Sequence, residues 1–248
     1  MVDESSADKP ILTSKGSERK APFGVFNFTF LDSPAYQNSA VRGEINQLDL
    51  PDFFIAEAEK VVKDLEIKKP LTITVGIPFE DEDNYIIPLL GIGARTISDH
   101  EVIFQLDPDH QDIVTNISKW QTRQIAHELN HVARGISDQT LLDALVFEGL
   151  ATVYEESWGG EYLETPWGNT LRGESLKEEW QRIQKGLNLP FSNYQDWFYG
   201  ENPDNPTWPG YALGKAIVKA YIGLHPDIPM KELVRKQSRE ILSEFNGL

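Results

Sequence analysis

The 248-residue sequence contains no cysteine. This absence excludes disulfide bonds, thiolate metal sites, iron–sulfur clusters and cysteine nucleophiles. Any metal ion that the protein holds through side chains must therefore be bound by His, Asp or Glu.

Long apolar runs and an excess of positive charge are also missing. No stretch approaches the roughly 20 apolar residues of a membrane-spanning helix, so the sequence predicts no membrane span. Lys and Arg number 23 against 39 Asp and Glu, which gives a formal net charge of −16. This charge argues against binding to nucleic acid phosphates or to anionic lipid. We expect a neutral or basic, peptide-like partner and no nucleic acid.

Residues 1–22 are polar and lack the apolar centre of a secretory signal peptide. Their composition predicts a disordered tail. The protein is expected to be secreted or surface-tethered if a signal segment has been removed, and cytoplasmic otherwise. The compartment therefore stays open.

Residues 23–248 have the length of a single domain with a sizeable core. Over residues 23–117 the spacing of apolar residues alternates between strand-like and helical, which predicts an α/β lobe. Over residues 118–248 the spacing is helical, which predicts a helical lobe. The expected fold class is α+β, with a small mixed sheet followed by mainly helical structure. The predicted strands cover residues 23–30, 71–77, 86–94 and 101–107, and the predicted helices cover residues 51–67, 118–134, 139–157, 174–187, 209–223 and 229–245.

The segment HELNH at residues 127–131 fits the pattern H-E-x-x-H. Two imidazoles one helical turn apart can bind a single zinc ion, while the intervening Glu acts on a metal-bound water. Ile125, Leu129 and Val132 form an apolar stripe nearly opposite the two histidines, as a packed helix requires. The alternative is a pair of solvent-facing histidines on an amphipathic helix.

A catalytic zinc normally takes three protein ligands and keeps a fourth position for water. The position that a metzincin would use holds Ser137, and a deformylase-like site would need a cysteine. Glu148 lies in an almost entirely apolar segment, where an unpaired carboxylate would cost several kcal/mol. Metal ligation accounts for its placement, although a buried salt bridge or a protonated carboxyl would also do so. Asp143 and Glu155 are the reserve ligands.

With the motif helix and this Glu, the sequence resembles a known group of enzymes. HELNHVAR followed by EGLA at residues 148–151 is similar to the gluzincin clan of zinc metallopeptidases. More narrowly, residues 124–159, together with PGYALG at residues 209–214, resemble the bacterial family of predicted Zn-dependent proteases. The resemblance implies a zincin-like fold and a peptide or protein substrate.

The resemblance also implies the roles of individual residues. His127, His131 and Glu148 would bind one zinc ion per chain, and Glu128 would be the general base for a zinc-activated water that hydrolyses the peptide bond. Thermolysin-like members of the clan have an Asp four residues after the ligand Glu, where this sequence has Thr152. The residue that orients the ligand histidines is therefore not assigned.

Relatives in the clan stabilise the oxyanion with a Tyr or a His from the C-terminal part, and the candidates here are Tyr211 and His225. Tyr211 is preferred because it opens a helix in the matching segment, although it could simply pack. Zincins usually bind the peptide along an edge strand above the catalytic helix, which residues 101–106 or 91–97 would provide. Two other functions stay open: a zinc-dependent amidase acting on a non-peptide substrate, and a non-catalytic, zinc-stabilised interaction domain.

Overall fold

The computed structural model describes residues 18–78, 89–136, 140–159, 164–191, 197–198, 208–245 and 247. Within these residues a five-stranded mixed sheet is followed by a mainly helical region, which confirms the predicted α+β class. The strands are β1 (Glu18–Ala21), β2 (Gly24–Asn27), β3 (Leu71–Gly76), β4 (Ile92–Thr96) and β5 (Glu101–Leu106). The α-helices are α1 (Thr29–Asp32), α2 (Pro34–Asn38), α3 (Arg42–Gln47), α4 (Leu50–Asp64), α5 (Ile113–Arg134), α6 (Leu141–Ser157), α7 (Gly173–Ile183), α8 (Pro209–Leu224), α9 (Met230–Leu233) and α10 (Ser238–Ser243).

The sheet has the strand order β1-β2-β3-β5-β4. Strands β2, β3 and β5 are parallel to one another, whereas β1 and β4 run antiparallel to their neighbours. Strand β5 is therefore an inner strand, and the expectation that residues 101–106 form a peptide-binding edge is wrong. The other candidate segment contains β4, which lies at the edge of the sheet.

An apolar core joins the sheet to the first long helix. Phe54 of α4 is fully buried and its ring lies 5.3 Å from that of Phe104 on β5, centroid to centroid. Ala58 and Val61 continue the same buried face of α4 at helical spacing, as the sequence predicted. The motif helix α5 packs against both α4 and β4. The edge strand is thus held beside the helix that carries H-E-x-x-H.

Several predicted boundaries need correction. The strand predicted over residues 23–30 ends at Asn27, and α1 follows because the chain turns away from the sheet. The predicted disordered tail extends too far, since residues 18–21 pair with β2, while residues 1–17 lie outside the described residues. The helix predicted over residues 229–245 is two short helices, α9 and α10.

Two corrections concern the neighbourhood of the motif helix. Helix α5 begins at Ile113 rather than residue 118, so it runs through the predicted boundary between the two lobes. The strand predicted over residues 86–94 begins only at Ile92, and residues 86–88 lie outside the described residues. No helix in the described part of the chain is long and apolar enough to cross a membrane.

Candidate metal centre

The candidate metal centre lies between α5 and α6, which pack against each other. Helix α5 carries the two motif histidines, and Glu148 is near the middle of α6. Helix α6 begins with a capping box. The Thr140 hydroxyl accepts a hydrogen bond from the Asp143 backbone N–H, and the Asp143 carboxylate accepts one from the Thr140 backbone N–H. Asp143, a reserve ligand in the sequence analysis, therefore serves the helix terminus and does not join the centre.

The structure brings His127, His131 and Glu148 together. The Nε2 atom of His127 lies 3.2 Å from Glu148 Oε2, and Nε2 of His131 lies 3.5 Å from Glu148 Oε1. One ligand atom from each of the three residues lies within 4.8 Å of the other two. The exposed fractions of the three residues are only 8%, 4% and 3%, respectively. Their shared role as metal ligands stays a prediction.

The chemistry of these side chains fits a zinc ion. Two imidazole nitrogens and one carboxylate oxygen form the donor set of a three-ligand catalytic zinc site. Burial by itself raises the pKa of Glu148, but His131 and His127 outweigh it and hold that pKa at about 2. Burial lowers the pKa of His127, but hydrogen bonds to Glu148 and Glu155 raise it well above its ordinary value. The carboxylates of Glu148 and Glu155 thus favour a positive charge at His127.

Glu155, the other reserve ligand, contacts His127 and is not one of the three clustered residues. It is fully buried, and its Oε2 lies 2.9 Å from Nδ1 of His127, the ring nitrogen that faces away from Glu148. Glu155 therefore orients the His127 ring rather than joining the three-residue cluster. Its position seven residues after Glu148 puts both carboxylates on one face of α6. A second carboxylate at this spacing in an apolar helix was the sequence signal for its role. The family pattern instead pointed to the position of Thr152.

The second histidine is held by an aromatic contact. The ring of Phe147 stacks on that of His131, with centroids 3.9 Å apart and planes 8° apart. The two histidine rings are nearly perpendicular, with centroids 4.7 Å apart. Each ring is thus restrained from a different side, one by a hydrogen bond and the other by stacking.

Glu128 contacts the edge strand of the sheet. The hydroxyl Oγ1 of Thr96 on β4 lies 2.7 Å from Glu128 Oε2 and 3.0 Å from the Glu128 backbone oxygen. Glu128 is 7% exposed, so this contact is largely shielded from solvent. Thr96 could not be identified from the sequence, because the two residues are 32 positions apart and meet only through the packing of α5 on β4.

The two candidate oxyanion donors are far apart. Tyr211 lies in the first turn of α8, and its ring centroid is 6.4 Å from that of His127. His225 follows the other end of α8 and contacts Glu244 through its Nε2 at 2.6 Å. The helical rise places it about 20 Å from Tyr211 along the helix. The structure therefore brings only Tyr211 to the centre.

Helix α8 approaches α6 closely because both contribute glycine. A Cβ atom on Gly149 would lie 2.3 Å from the backbone of Gly214, and one on Gly214 would lie 2.0 Å from the Leu145 carbonyl oxygen. Such distances leave no space for any side chain. Gly149 follows Glu148 directly and Gly214 lies three residues after Tyr211, so this contact sets the distance between that tyrosine and the centre.

Comparison with known proteins agrees with this geometry. The family described as "Predicted Zn-dependent protease (DUF2268)" matches residues 58–243, three quarters of the chain. The matched region includes α5, α6 and α8 and thus every residue of the candidate centre. No curated protein and no solved structure matches the chain. On the evidence of this match, the chain belongs to the DUF2268 family of predicted Zn-dependent proteases.

Proposed function

We propose that the protein is a zinc-dependent metallopeptidase that hydrolyses peptide bonds. One zinc ion per chain would be held by Nε2 of His127, Nε2 of His131 and the carboxylate of Glu148. The observation that carries this proposal is the convergence of these three donors within 4.8 Å in a buried site. Membership of a family of predicted Zn-dependent proteases supports it.

Glu128 is proposed as the general base. A bound zinc ion would supply Lewis-acid chemistry here, polarising the scissile carbonyl and lowering the pKa of the attacking water toward 7. Glu128 takes the proton of the attacking water and then delivers it to the leaving amine. The Thr96 hydroxyl at 2.7 Å from Oε2 supports this role, because it fixes one carboxylate oxygen and leaves the other for the proton.

Tyr211 is proposed as the donor to the oxyanion. Of the two candidates, Tyr211 is the one whose ring lies beside His127. The close contact between α6 and α8 restrains its position. Its ring also packs edge-to-face on Phe198, with centroids 5.2 Å apart, which limits its rotation. A donor held in place before the reaction stabilises developing negative charge most effectively.

The edge strand β4 is proposed to bind the substrate backbone. Its outer edge has no partner strand among the described residues, and its inner edge pairs with β5. An extended peptide added to this edge would lie beside Glu128, since Thr96 belongs to the same strand. The net charge of −16 favours neutral or basic peptides through a long-range attraction that salt would screen.

The first experiment is a measurement of metal content by inductively coupled plasma mass spectrometry. Wild type and Glu148→Ala are purified and loaded under identical zinc-limited conditions. We expect one zinc ion per wild-type chain and a sharp loss in the variant, whose matched control is Asp143→Ala. Zinc retained by Glu148→Ala, or lost equally from Asp143→Ala, would overturn the proposed ligand set.

The second experiment tests the substrate class. The zinc-loaded protein is screened against peptide libraries with neutral, basic and acidic side chains, and against small acylated amines. We expect cleavage of peptides, with neutral and basic ones preferred at low salt. Turnover of acylated amines alone would replace the peptidase by an amidase. Zinc binding without any turnover would favour a non-catalytic, zinc-stabilised domain.

A further inference from the structure

Arg123 is a buried cation that has no hydrogen-bond partner among the described residues. Only 1% of this residue is exposed, and its three guanidinium nitrogens have no such partner in the part of the chain that the structure describes. A buried guanidinium left uncompensated costs several kcal/mol, so its presence calls for a compensating charge or a function. Arg123 lies one helical turn before His127 on α5, on the side of the metal centre.

The surroundings of Arg123 fit its planar side chain closely. Its guanidinium carbon lies 4.5 Å from the ring centroid of Trp120, a cation–π distance. On another side, a Cβ atom at Gly159 would lie 3.2 Å from the same carbon. The absence of a side chain at Gly159 therefore makes room for the guanidinium.

Of the two acids that act electrostatically on Arg123, the one with the larger effect is Glu155, the residue that contacts His127. Its Oε2 faces the histidine, whereas its Oε1 is buried and has no hydrogen-bond partner among the described residues. Burial raises the pKa of Glu155, whereas His127, Arg123 and the Trp167 indole lower it, and the Trp167 ring lies 6.1 Å from that of Trp120. The buried donors of Arg123 and Trp167 thus both act on the Glu155 carboxylate.

Electrostatics couple the arginine to this acid. Burial lowers the pKa of Arg123, while the carboxylates of Glu155 and Glu156 oppose that effect. Glu156 already has a cation of its own, because Lys215 Nζ lies 2.6 Å from its Oε1. Among the described ion pairs Glu155 has one partner, His127, whose Nδ1 lies 2.9 Å from its Oε2, and Arg123 adds a second positive charge that acts on this acid.

We propose that Arg123 is a positioning residue for the metal centre: its buried charge balances Glu155 and holds that carboxylate against Nδ1 of His127. This proposal rests on the proposed function, because it assigns Arg123 a role in zinc binding. The chain of contacts runs from Arg123 to Glu155, from Glu155 to His127, and from His127 to the ion.

The test is the zinc dissociation constant, measured by competition with a chromophoric chelator. Residues that support a metal ligand typically change affinity by about 10- to 100-fold, and we expect Glu155→Gln to fall in this range. Arg123→Met is expected to weaken binding about tenfold, at the lower end of the same range. Arg123→Lys, which keeps the charge, should recover most of the loss.

Arg134 provides a matched control on the same helix. It lies three residues after His131, and its guanidinium donates to the backbone oxygens of Val234 and Lys236 and to the Ser238 hydroxyl. Arg134→Met is therefore expected to lower the free energy of unfolding without changing the zinc affinity of the folded protein. An equal loss of zinc affinity in Arg123→Met and Arg134→Met would overturn the proposal.

Two readouts separate positioning from simple packing. The visible absorption spectrum of the Co²⁺-substituted protein should change in Arg123→Met and return toward wild type in Arg123→Lys, since it reports ligand geometry. The double variant Arg123→Met/Glu155→Gln should bind zinc no more weakly than Glu155→Gln alone, because the arginine acts through that acid. Additive losses, or a wild-type spectrum and affinity in Arg123→Met, would contradict the proposal.

Two further controls keep the test decisive. If Arg123→Met does not fold, Arg123→Gln gives the same comparison with a neutral polar side chain. His127→Ala tests the metal centre itself and is expected to abolish binding. Zinc affinity unchanged in His127→Ala would overturn the proposed function, whereas loss there with no effect at Arg123 would overturn only the role of Arg123.

Discussion

The two faces of helix α5 contrast sharply. Toward α4 and the sheet the core is mainly apolar, as in the contact between Phe54 of α4 and Phe104 of β5, and the contact of Glu128 with Thr96 is a polar exception. Toward α6 the buried residues carry charge or hydrogen-bonding groups: Arg123, His127, His131, Glu148 and Glu155. Burial of apolar groups stabilises a fold, whereas burial of polar groups costs free energy unless each is paired. One side of α5 therefore holds the fold together, and the other is arranged for a ligand.

The contrast also separates stability from function. Metal binding would compensate the polar side, because the ion supplies the positive charge that Glu148 and its neighbours favour. The apolar side needs no ligand. Changes on the two sides should thus affect different measurements, and the following predictions run from the largest expected effect to the smallest.

Glu128→Gln should lower catalytic activity without affecting zinc binding. The amide cannot accept the water proton, so we expect turnover of the best library peptide to fall by about 10²- to 10⁴-fold. Zinc content should stay at one per chain, since Glu128 is outside the three-residue cluster. The measurements are steady-state kinetics and metal analysis on the same preparations. Activity close to wild type would show that another group takes the proton.

Phe54→Ala should damage the apolar side alone. Removing this fully buried ring leaves a cavity against Phe104 and Phe28, so the free energy of unfolding should fall by about 3–5 kcal/mol. Urea denaturation measures this change. Below the unfolding transition, the zinc dissociation constant should equal that of wild type. A weakened zinc site in the folded variant would mean that the two faces of α5 are coupled.

Removal of zinc should affect mainly the polar side. At a free zinc concentration 100 times the dissociation constant, binding to the folded state alone adds about 2.7 kcal/mol to its stability. We expect chelation to remove this increment and to speed amide hydrogen exchange most in α6 and in the second half of α5. Mass spectrometry of exchanging peptides locates the change. Equal acceleration throughout the sheet would contradict the predicted localisation.

Thr96→Val should have the smallest effect, at the point where the sheet meets the motif helix. Loss of the hydroxyl removes one hydrogen bond to the Glu128 carboxylate, so kcat should fall about tenfold, equal to about 1.4 kcal/mol. Thr96→Ser keeps the hydroxyl and is the matched control. Steady-state kinetics of both variants with the same peptide measure this change in kcat. An equal loss of kcat in Thr96→Ser and Thr96→Val would show that the packing of strand β4, and not the hydroxyl, causes the effect.

The motif helix and its partner were predictable because their signals are local. The spacing of His127 and His131 and the apolar surroundings of Glu148 all lie within two helices, where side-chain direction follows from the 3.6-residue repeat. The bounds of α6 and β3 differ from the prediction by only a few residues for the same reason. The early start of α5 escaped prediction, because polar residues intervene between Ile113 and Trp120.

The roles of three residues depended on contacts between distant segments. From the sequence, Glu155 was a reserve ligand and His225 was an alternative to Tyr211 as the oxyanion donor. Thr96 was not identified. Their partners are 28 positions away for Glu155, 32 for Thr96 and 19 for His225. Local periodicity gives no information on such pairs, because the direction in which two elements cross is set by packing between them.

The sequence by itself determined the helices that carry the proposed ligands, the exclusion of thiolate chemistry and the faces on which the histidines and Glu148 lie. These properties follow from residue type and backbone geometry, which are local. Only the tertiary structure decided that β4 is the edge strand beside Glu128, that Glu155 supports His127 and that Arg123 is buried behind them. These depend on strand order and helix packing, where glycine contacts such as Gly149 with Gly214 bring distant segments together.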